Sequence, residues 1–220
     1  MISFKNRLLS SLAADEIAFL LQHLEAVDLP LRMALTLPGA PIDHVVFIED
    51  GLGSVIVVVD SVDQIEVGLI GRDGVSGISA ALGSPRSEHK TFMQVGGNGY
   101  RLPVAVLDEA MASRPAIRQA VLRFANEFLL QVSQTALANG RFALPARLAR
   151  WLLMSHDRLD GDVVPLTNEF LGLMLGVRRA GVTEALADLE ALGCIDTGKG
   201  RIKVLNRAAL VHMAMGIYSE

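Results

Sequence analysis

The 220-residue chain has a single cysteine, Cys194, and only 5% aromatic residues. One thiol excludes an intramolecular disulfide, and it also excludes a four-cysteine zinc or iron-sulfur site built within one chain. Long apolar runs are missing too: stretches such as residues 55–59 fall far short of the roughly 20 residues that span a bilayer. Lys5 and Arg7 near the start are followed by Ser10, Ser11, Asp15 and Glu16 rather than by the apolar stretch of a signal peptide. A cytoplasmic protein without a membrane segment is therefore expected. The sequence contains no phosphate loop, dinucleotide fingerprint, nucleophile elbow or His-x-His metal pattern, so no enzymatic activity is expected. His23, His44, His89, His156 and His212 stand at no recognisable ligand spacing, and no metal or cofactor is expected either.

What is present is ample for a folded chain, with 51% hydrophobic and 20% charged residues and a net charge of -4. The charge is uneven: residues 141–220 carry 10 of the 20 Lys and Arg but only 9 of the 24 Asp and Glu. Arg178, Arg179, Lys199, Arg201, Lys203 and Arg207 all lie there, as they would in an acidic protein with one basic working face.

Leu8, Leu9, Leu12, Ile17, Leu20, Leu21 and Leu24 recur at helical spacing and predict a short helical lead-in. From His44 onward the pattern changes to short β-branched runs at 45–48, 52–59, 65–70 and 92–95. Turn signals at 49–51, 60–63 and 71–74 separate them, and Gly96, Gly97 and Gly99 mark a tight corner. Strands so closely spaced predict an antiparallel roll. After Leu107 the period is helical. Pro115 suits a first helical position, and Ile117, Val121, Phe124, Phe128 and Val132 form one apolar stripe on a helix ending near Asn139-Gly140. That stripe either packs on the roll or pairs with its own copy across a two-fold axis, an arrangement favoured by the helix's place between two domains.

A second helix beginning at Pro145 carries Leu148, Trp151 and Leu152, with Trp151 read as core. Thr167 is a fitting N-cap for a short helix that ends before Gly176-Val177, and Val182, Leu186, Leu189 and Leu192 mark another that stops at Gly193. Two short helices about a glycine turn form a helix-turn-helix. Residues 194–197, the basic tip Gly198-Lys199-Gly200-Arg201 and the returning strand 202–205 form a wing beside it. The first turn of the second helix, with Arg178 and Arg179, is suited to the major groove, while Lys199 and Arg201 reach phosphates.

These residues also resemble a known family. The runs Ala146-Arg147-Leu148-Ala149-Arg150-Trp151-Leu152-Leu153-Met154, Pro165-Leu166-Thr167-Asn168-Glu169-Phe170-Leu171, Met174-Leu175-Gly176-Val177-Arg178-Arg179 and Val182-Thr183 resemble the C-terminal half of Crp/Fnr-superfamily transcription regulators. Val45-Val46-Phe47-Ile48, Glu66-Val67-Gly68-Leu69-Ile70-Gly71-Arg72-Asp73-Gly74 and Met93-Gln94-Val95 are similar to that superfamily's effector-binding roll. The resemblance implies an α+β chain in three parts: an antiparallel, jelly-roll-like β-roll with its N-terminal helix in residues 1–107, a long dimerisation helix in 108–140, and a winged helix-turn-helix in 141–220. It further implies a homodimer along the stripe Ile117, Val121, Phe124, Phe128 and Val132, with a palindromic DNA operator and RNA polymerase as partners.

Gly77, Ile78, Arg86 and Ser87 occupy the places of the effector pocket. Members that bind cyclic AMP have a Gly-Glu pair where this chain has Gly77-Ile78, and Glu88-His89 follows Arg86-Ser87. Cyclic AMP is therefore not the expected effector, and the cysteines of the oxygen-sensing branch are absent. In the recognition helix the family's Arg-Glu pair and later arginine correspond to Arg179, Ala180 and Glu184, which implies a different operator. Arg178 or Arg179 suits a guanine edge, Glu184 a cytosine amino group, and Thr183 a thymine methyl or a phosphate. Thr167, Arg178, Arg179, Thr183, Glu184, Lys199 and Arg201 are the candidate DNA contacts. The alternatives are a cyclic-nucleotide-responsive regulator, which Arg86-Ser87 leaves open, and a cupin-like enzyme on the same kind of roll, which the missing His-x-His pattern opposes.

Overall fold

The computed structural model describes residues 3–60 and 64–218. In chain order its elements are α1 (Arg7–Ser10), α2 (Ala14–Leu21), β1 (Glu25–Leu29), β2 (Ala34–Thr36), β3 (His44–Val58), β4 (Gln64–Ile70), β5 (Val75–Ser76), α3 (Ile78–Ala81), β6 (Lys90–Pro103), α4 (Val104–Ser113) and α5 (Pro115–Arg141). There follow α6 (Leu144–His156), β7 (Val163–Val164), α7 (Asn168–Leu175), α8 (Arg179–Ala191), β8 (Ile195–Gly198), β9 (Arg201–Val204) and α9 (Arg207–Met213). The expected α+β architecture is present. The chain divides into two compact units, residues 1–57 with 70–130 and residues 58–69 with 131–220.

The first unit is built on the antiparallel pairing of β6 with β1, β2 and β3, and of β5 with β3. Phe47, Ile48, Leu52, Ile56, Met93 and Leu102 fill its core together with Leu9 and Leu20 from the helical lead-in. The turn read at 49–51 and the corner read at Gly96 to Gly99 are both interior to long strands. β3 and β6 run through them as register shifts between Ile48 and Gly53. Glycine is still required there: Gly51 has φ +95°, and a Cβ on it would lie 2.6 Å from the Val95 carbonyl oxygen. The signal was thus for a bulge and not a chain reversal. Asn6 ties the chain start to this sheet. Its buried amide donates to the carbonyls of Ile48 (3.0 Å) and Gly74 (2.8 Å), and its oxygen caps α1 through the Leu9 N–H.

The 27 residues of α5 carry two apolar faces, and the structure corrects which of them is exposed. Ile117, Val121 and Phe124, expected at a dimer interface, are no more than 5% exposed within their own chain, and Phe128 and Val132 are half-buried. Phe124 lies against Gly74, where any side chain would collide with its ring. The exposed apolar residues are instead Leu122, Leu129, Leu130 and Leu137. Among the described residues no helix is long and apolar enough to cross a membrane.

In the second unit α6 is the central element, with Leu148, Ala149, Trp151, Leu152 and Leu153 all buried, and α7, α8 and α9 surround it. The small antiparallel sheet runs in the order β7-β9-β8. The chain's last turns are fastened by a polar network. Arg207 donates to Tyr218 Oη (2.6 Å) and His156 Nδ1 (3.1 Å) and pairs with Asp157 (2.8 Å), while Tyr218 donates to Asp157 (2.7 Å). Burial and the neighbouring Asp157 push the Tyr218 phenol up to about 12.

Candidate nucleic-acid interface

α7 starts because the Thr167 hydroxyl accepts from the Phe170 N–H (3.4 Å), and it stops at Gly176, whose φ of +62° ends the helix in the left-handed region. The Val177 N–H then bonds the Gly172 carbonyl (2.9 Å), and a Cβ on Gly172 would lie 3.0 Å from the Val177 oxygen. Two glycines therefore make the tight turn between the helices. Arg147 of α6 donates its guanidinium to the Leu175 carbonyl, fixing the end of α7 on the helix below; burial lowers its pKa.

α8 buries Val182, Ala185, Leu186 and Leu189 and leaves Arg179, Ala180, Thr183, Glu184 and Ala187 exposed. Arg178 is its N-cap residue in extended geometry. The Thr183 hydroxyl donates to the Arg179 carbonyl (3.1 Å) and accepts from the Asn168 amide (3.5 Å). β8 and β9 meet at the tip Lys199-Gly200, where Gly200 has φ +69° and Gly198 pairs with Arg201. Arg178, Arg179, Lys199 and Arg201 are all exposed, and among the described residues their side chains have no hydrogen-bond or ion-pair partner. Glu184 is exposed without a partner in the same sense. The second unit thus brings together six of the seven candidate contacts on α8, its N-cap and the wing, and Thr167 stands at the start of α7.

Sequence reasoning missed what holds the wing. The Glu190 carboxylate at the end of α8 accepts from both the Thr197 N–H (2.7 Å) and the Thr197 hydroxyl (2.8 Å). These bonds lower its pKa below the ordinary glutamate value. A depressed carboxylate contributes stability that is present above its unfolded pKa and is lost as pH falls through the folded value. Glu190→Gln, whose amide oxygen accepts without the charge, should therefore bind DNA more weakly than wild type at neutral pH. The two proteins should converge on acidification below the glutamate range. A mutant-to-wild-type affinity ratio that does not change with pH would exclude the carboxylate as the anchor.

It also missed a buried polar set on α6. Trp151 Nε1 donates to Glu66 of β4 (2.6 Å), and the Gln131 amide bonds both the N–H (2.6 Å) and the carbonyl (3.1 Å) of Leu69. Arg150, 4% exposed, donates to the Ile217 carbonyl (2.8 Å), Thr135 Oγ1 (3.2 Å) and the Gln131 carbonyl (3.3 Å). A charged residue inside an apolar helical run was the available signal.

The candidate effector residues are held by local partners. Gly77 (φ +82°) caps α3, and Ile78 is buried. Arg86 is exposed and donates to the Gly39 carbonyl (2.6 Å), while the Ser87 hydroxyl donates to the His89 carbonyl (2.7 Å).

Comparison with known proteins agrees with this geometry. Residues 146–213 match the Crp-like helix-turn-helix domain. The global nitrogen regulator of Synechococcus elongatus is 25% identical over 185 residues, covering 79% of this chain and 82% of that protein. FixK2 from Bradyrhizobium japonicum has the same fold with a TM-score of 0.75 at 16% identity, over 86% of this chain and 96% of that one. The c-di-GMP responsive global regulator CLP of Xanthomonas campestris has a TM-score of 0.70 at 18% identity, over 87% and 99%. Residues 146–213 thus form a Crp-like helix-turn-helix domain within a fold that those regulators share.

Proposed function

We propose that this chain is a transcription regulator of the Crp/Fnr family, a cytoplasmic homodimer that binds a two-fold-symmetric operator and acts on RNA polymerase from there. The observation that carries the reading is the set of uncommitted cations: Arg178 and Arg179 at the start of α8, and Lys199 and Arg201 at the wing tip. Arg179 binds a guanine edge in the major groove, Glu184 accepts from a cytosine amino group, and the wing cations lie against phosphates. Thr167 contributes chiefly as the N-cap that sets α7. The two copies associate through the exposed leucines of α5. No metal or prosthetic group is involved. Cyclic AMP is not the effector, because Ile78 offers no acceptor to a ribose hydroxyl and Arg86 is already bonded to Gly39.

Selection of bound duplexes from a random pool, with and without cyclic AMP, should return one palindrome with half-site centres about one helical turn apart. On that operator Arg179→Ala should cost about 1 to 3 kcal/mol of discrimination at one base pair of each half-site. Lys199→Ala should weaken all duplexes alike and make the logarithmic salt slope shallower by about 2 in a dimer. An unchanged ratio of specific to non-specific affinity in Arg179→Ala would misplace the recognition helix. Failure of the wild-type protein to bind any duplex at low salt would overturn the proposal.

A further inference from the structure

We infer that Thr183 is a specificity-determining residue that reads, through its γ-methyl group, the 5-methyl of a pyrimidine in the operator. The inference rests on the DNA-binding reading above and deepens it. A threonine on a recognition helix has two things to offer, a hydroxyl for a base edge or phosphate and a methyl for a thymine. Here the hydroxyl's one proton and one of its two lone pairs are already engaged. Its proton goes to the carbonyl of Arg179, one turn back along α8, at 3.1 Å, and it receives the Asn168 amide of α7 at 3.5 Å. A threonine in a helix commonly bonds the carbonyl four residues earlier, and the hydroxyl would have to give up that bond to donate to DNA. With no proton left to donate, the exposed residue offers DNA its methyl group and a single lone pair. Its surroundings point the same way. Ala180, exposed one turn before it, has nothing to donate or accept, so between the charged Arg179 and Glu184 this face of α8 presents methyl groups.

Two pyrimidines carry a methyl at that edge of the major groove, thymine and 5-methylcytosine, and the contact is the same in both. An unmethylated pyrimidine leaves the Thr183 and Ala180 methyls facing water, at the cost of one buried methyl group, or about fourfold in affinity per half-site.

The experiment uses the full-length protein and the selected operator. Each thymine of the half-site is replaced in turn by uracil, which pairs identically and lacks only the methyl, and cytosine is compared with 5-methylcytosine at the same position. At one position wild type should bind the methylated member of a pair about fourfold more tightly per half-site. A preference in the thymine-uracil pair assigns thymine, and one in the cytosine pair assigns 5-methylcytosine. Thr183→Ser, which keeps the bonded hydroxyl and removes the methyl, should lose the preference. Thr183→Val, which keeps a methyl and removes the hydroxyl, should retain it. The inference is overturned if neither pair is discriminated anywhere in the half-site, if Thr183→Ser still discriminates, or if Thr183→Val does not. Each of those results presupposes tight binding of the operator, whereas loss of the DNA-binding reading itself would appear as no bound duplex at all.

Discussion

Leu129→Glu should convert the protein to monomers at micromolar concentration and weaken operator binding by on the order of a hundredfold or more. Leu122, Leu129, Leu130 and Leu137 are 40%, 62%, 56% and 51% exposed, a cost in apolar surface that a lone helix has no reason to bear. The intervals 122 to 129 and 130 to 137 are both seven residues, the repeat of a seam between two helices, and the four lie within an arc of about 100° on α5. A carboxylate in the middle of that seam would be desolvated next to its own copy. Once the copies separate, each winged domain holds a single half-site, and the gain from binding two linked sites, about 10²- to 10⁴-fold, is lost. Because Leu129 is largely exposed within one chain, the substitution should leave chain stability within about 0.5 kcal/mol of wild type. Phe124→Glu gives the contrast: it would place a charge against Gly74 in the packed interior and unfold the first unit instead. Sedimentation of wild type and Leu129→Glu decides the matter. Wild-type monomers at micromolar concentration, or a Leu129→Glu protein that stays dimeric, would move the interface off this face.

The contrast between Phe124 and Leu129 also marks how far the sequence could be read. Periodicity identified α5 as a long apolar helix and located its stripe correctly, but it says only that a face is apolar and not which surface covers it. The stripe at 117, 121 and 124 is buried within its own chain, and Phe124 packs on Gly74, which leaves room for a ring, a fit between residues 50 positions apart in sequence. The helix-turn-helix and wing were legible almost residue by residue, since their signals are local: an N-cap at Thr167, left-handed glycines at 176, 193 and 200, and alternation along β9. Glycine misled where the same backbone demand arose inside a strand, as at Gly51, because a bulge and a turn draw on one residue type. The buried partners of Arg150 and Trp151 left no local trace. Glu66 is 85 residues from Trp151, and Ile217 is 67 from Arg150.

Arg150→Ala should cost about 3 to 5 kcal/mol of stability, and DNA binding should fall with it. Burial is the main reason its pKa is pushed down, to about 10; the like charge of Arg158 adds to the shift and Glu66 opposes it. A folded pKa below the unfolded one means that the unfolded chain binds more protons above about 10, so holding this cation inside the fold is unfavourable at neutral pH, where it remains charged. Its three hydrogen bonds offset that cost by joining the end of α5, at Gln131 and Thr135, to α6 and to the Ile217 carbonyl beyond α9. Alanine would leave the Ile217 carbonyl unpaired, deprive the buried Glu66 carboxylate of a nearby cation, and vacate the space of a guanidinium. Methionine fills most of that space, so Arg150→Met should lose less than alanine. Adding Glu66→Gln should harm Arg150→Met less than it harms wild type, because the neutral amide no longer needs the cation. Trp151 is the chain's one tryptophan and bonds Glu66 itself, so its fluorescence follows this unit alone through a denaturant transition. An Arg150→Ala midpoint displaced by less than the equivalent of about 1 kcal/mol would show that the buried guanidinium is no more than space filling, and equal effects of Glu66→Gln in the two backgrounds would show that the two charges do not interact.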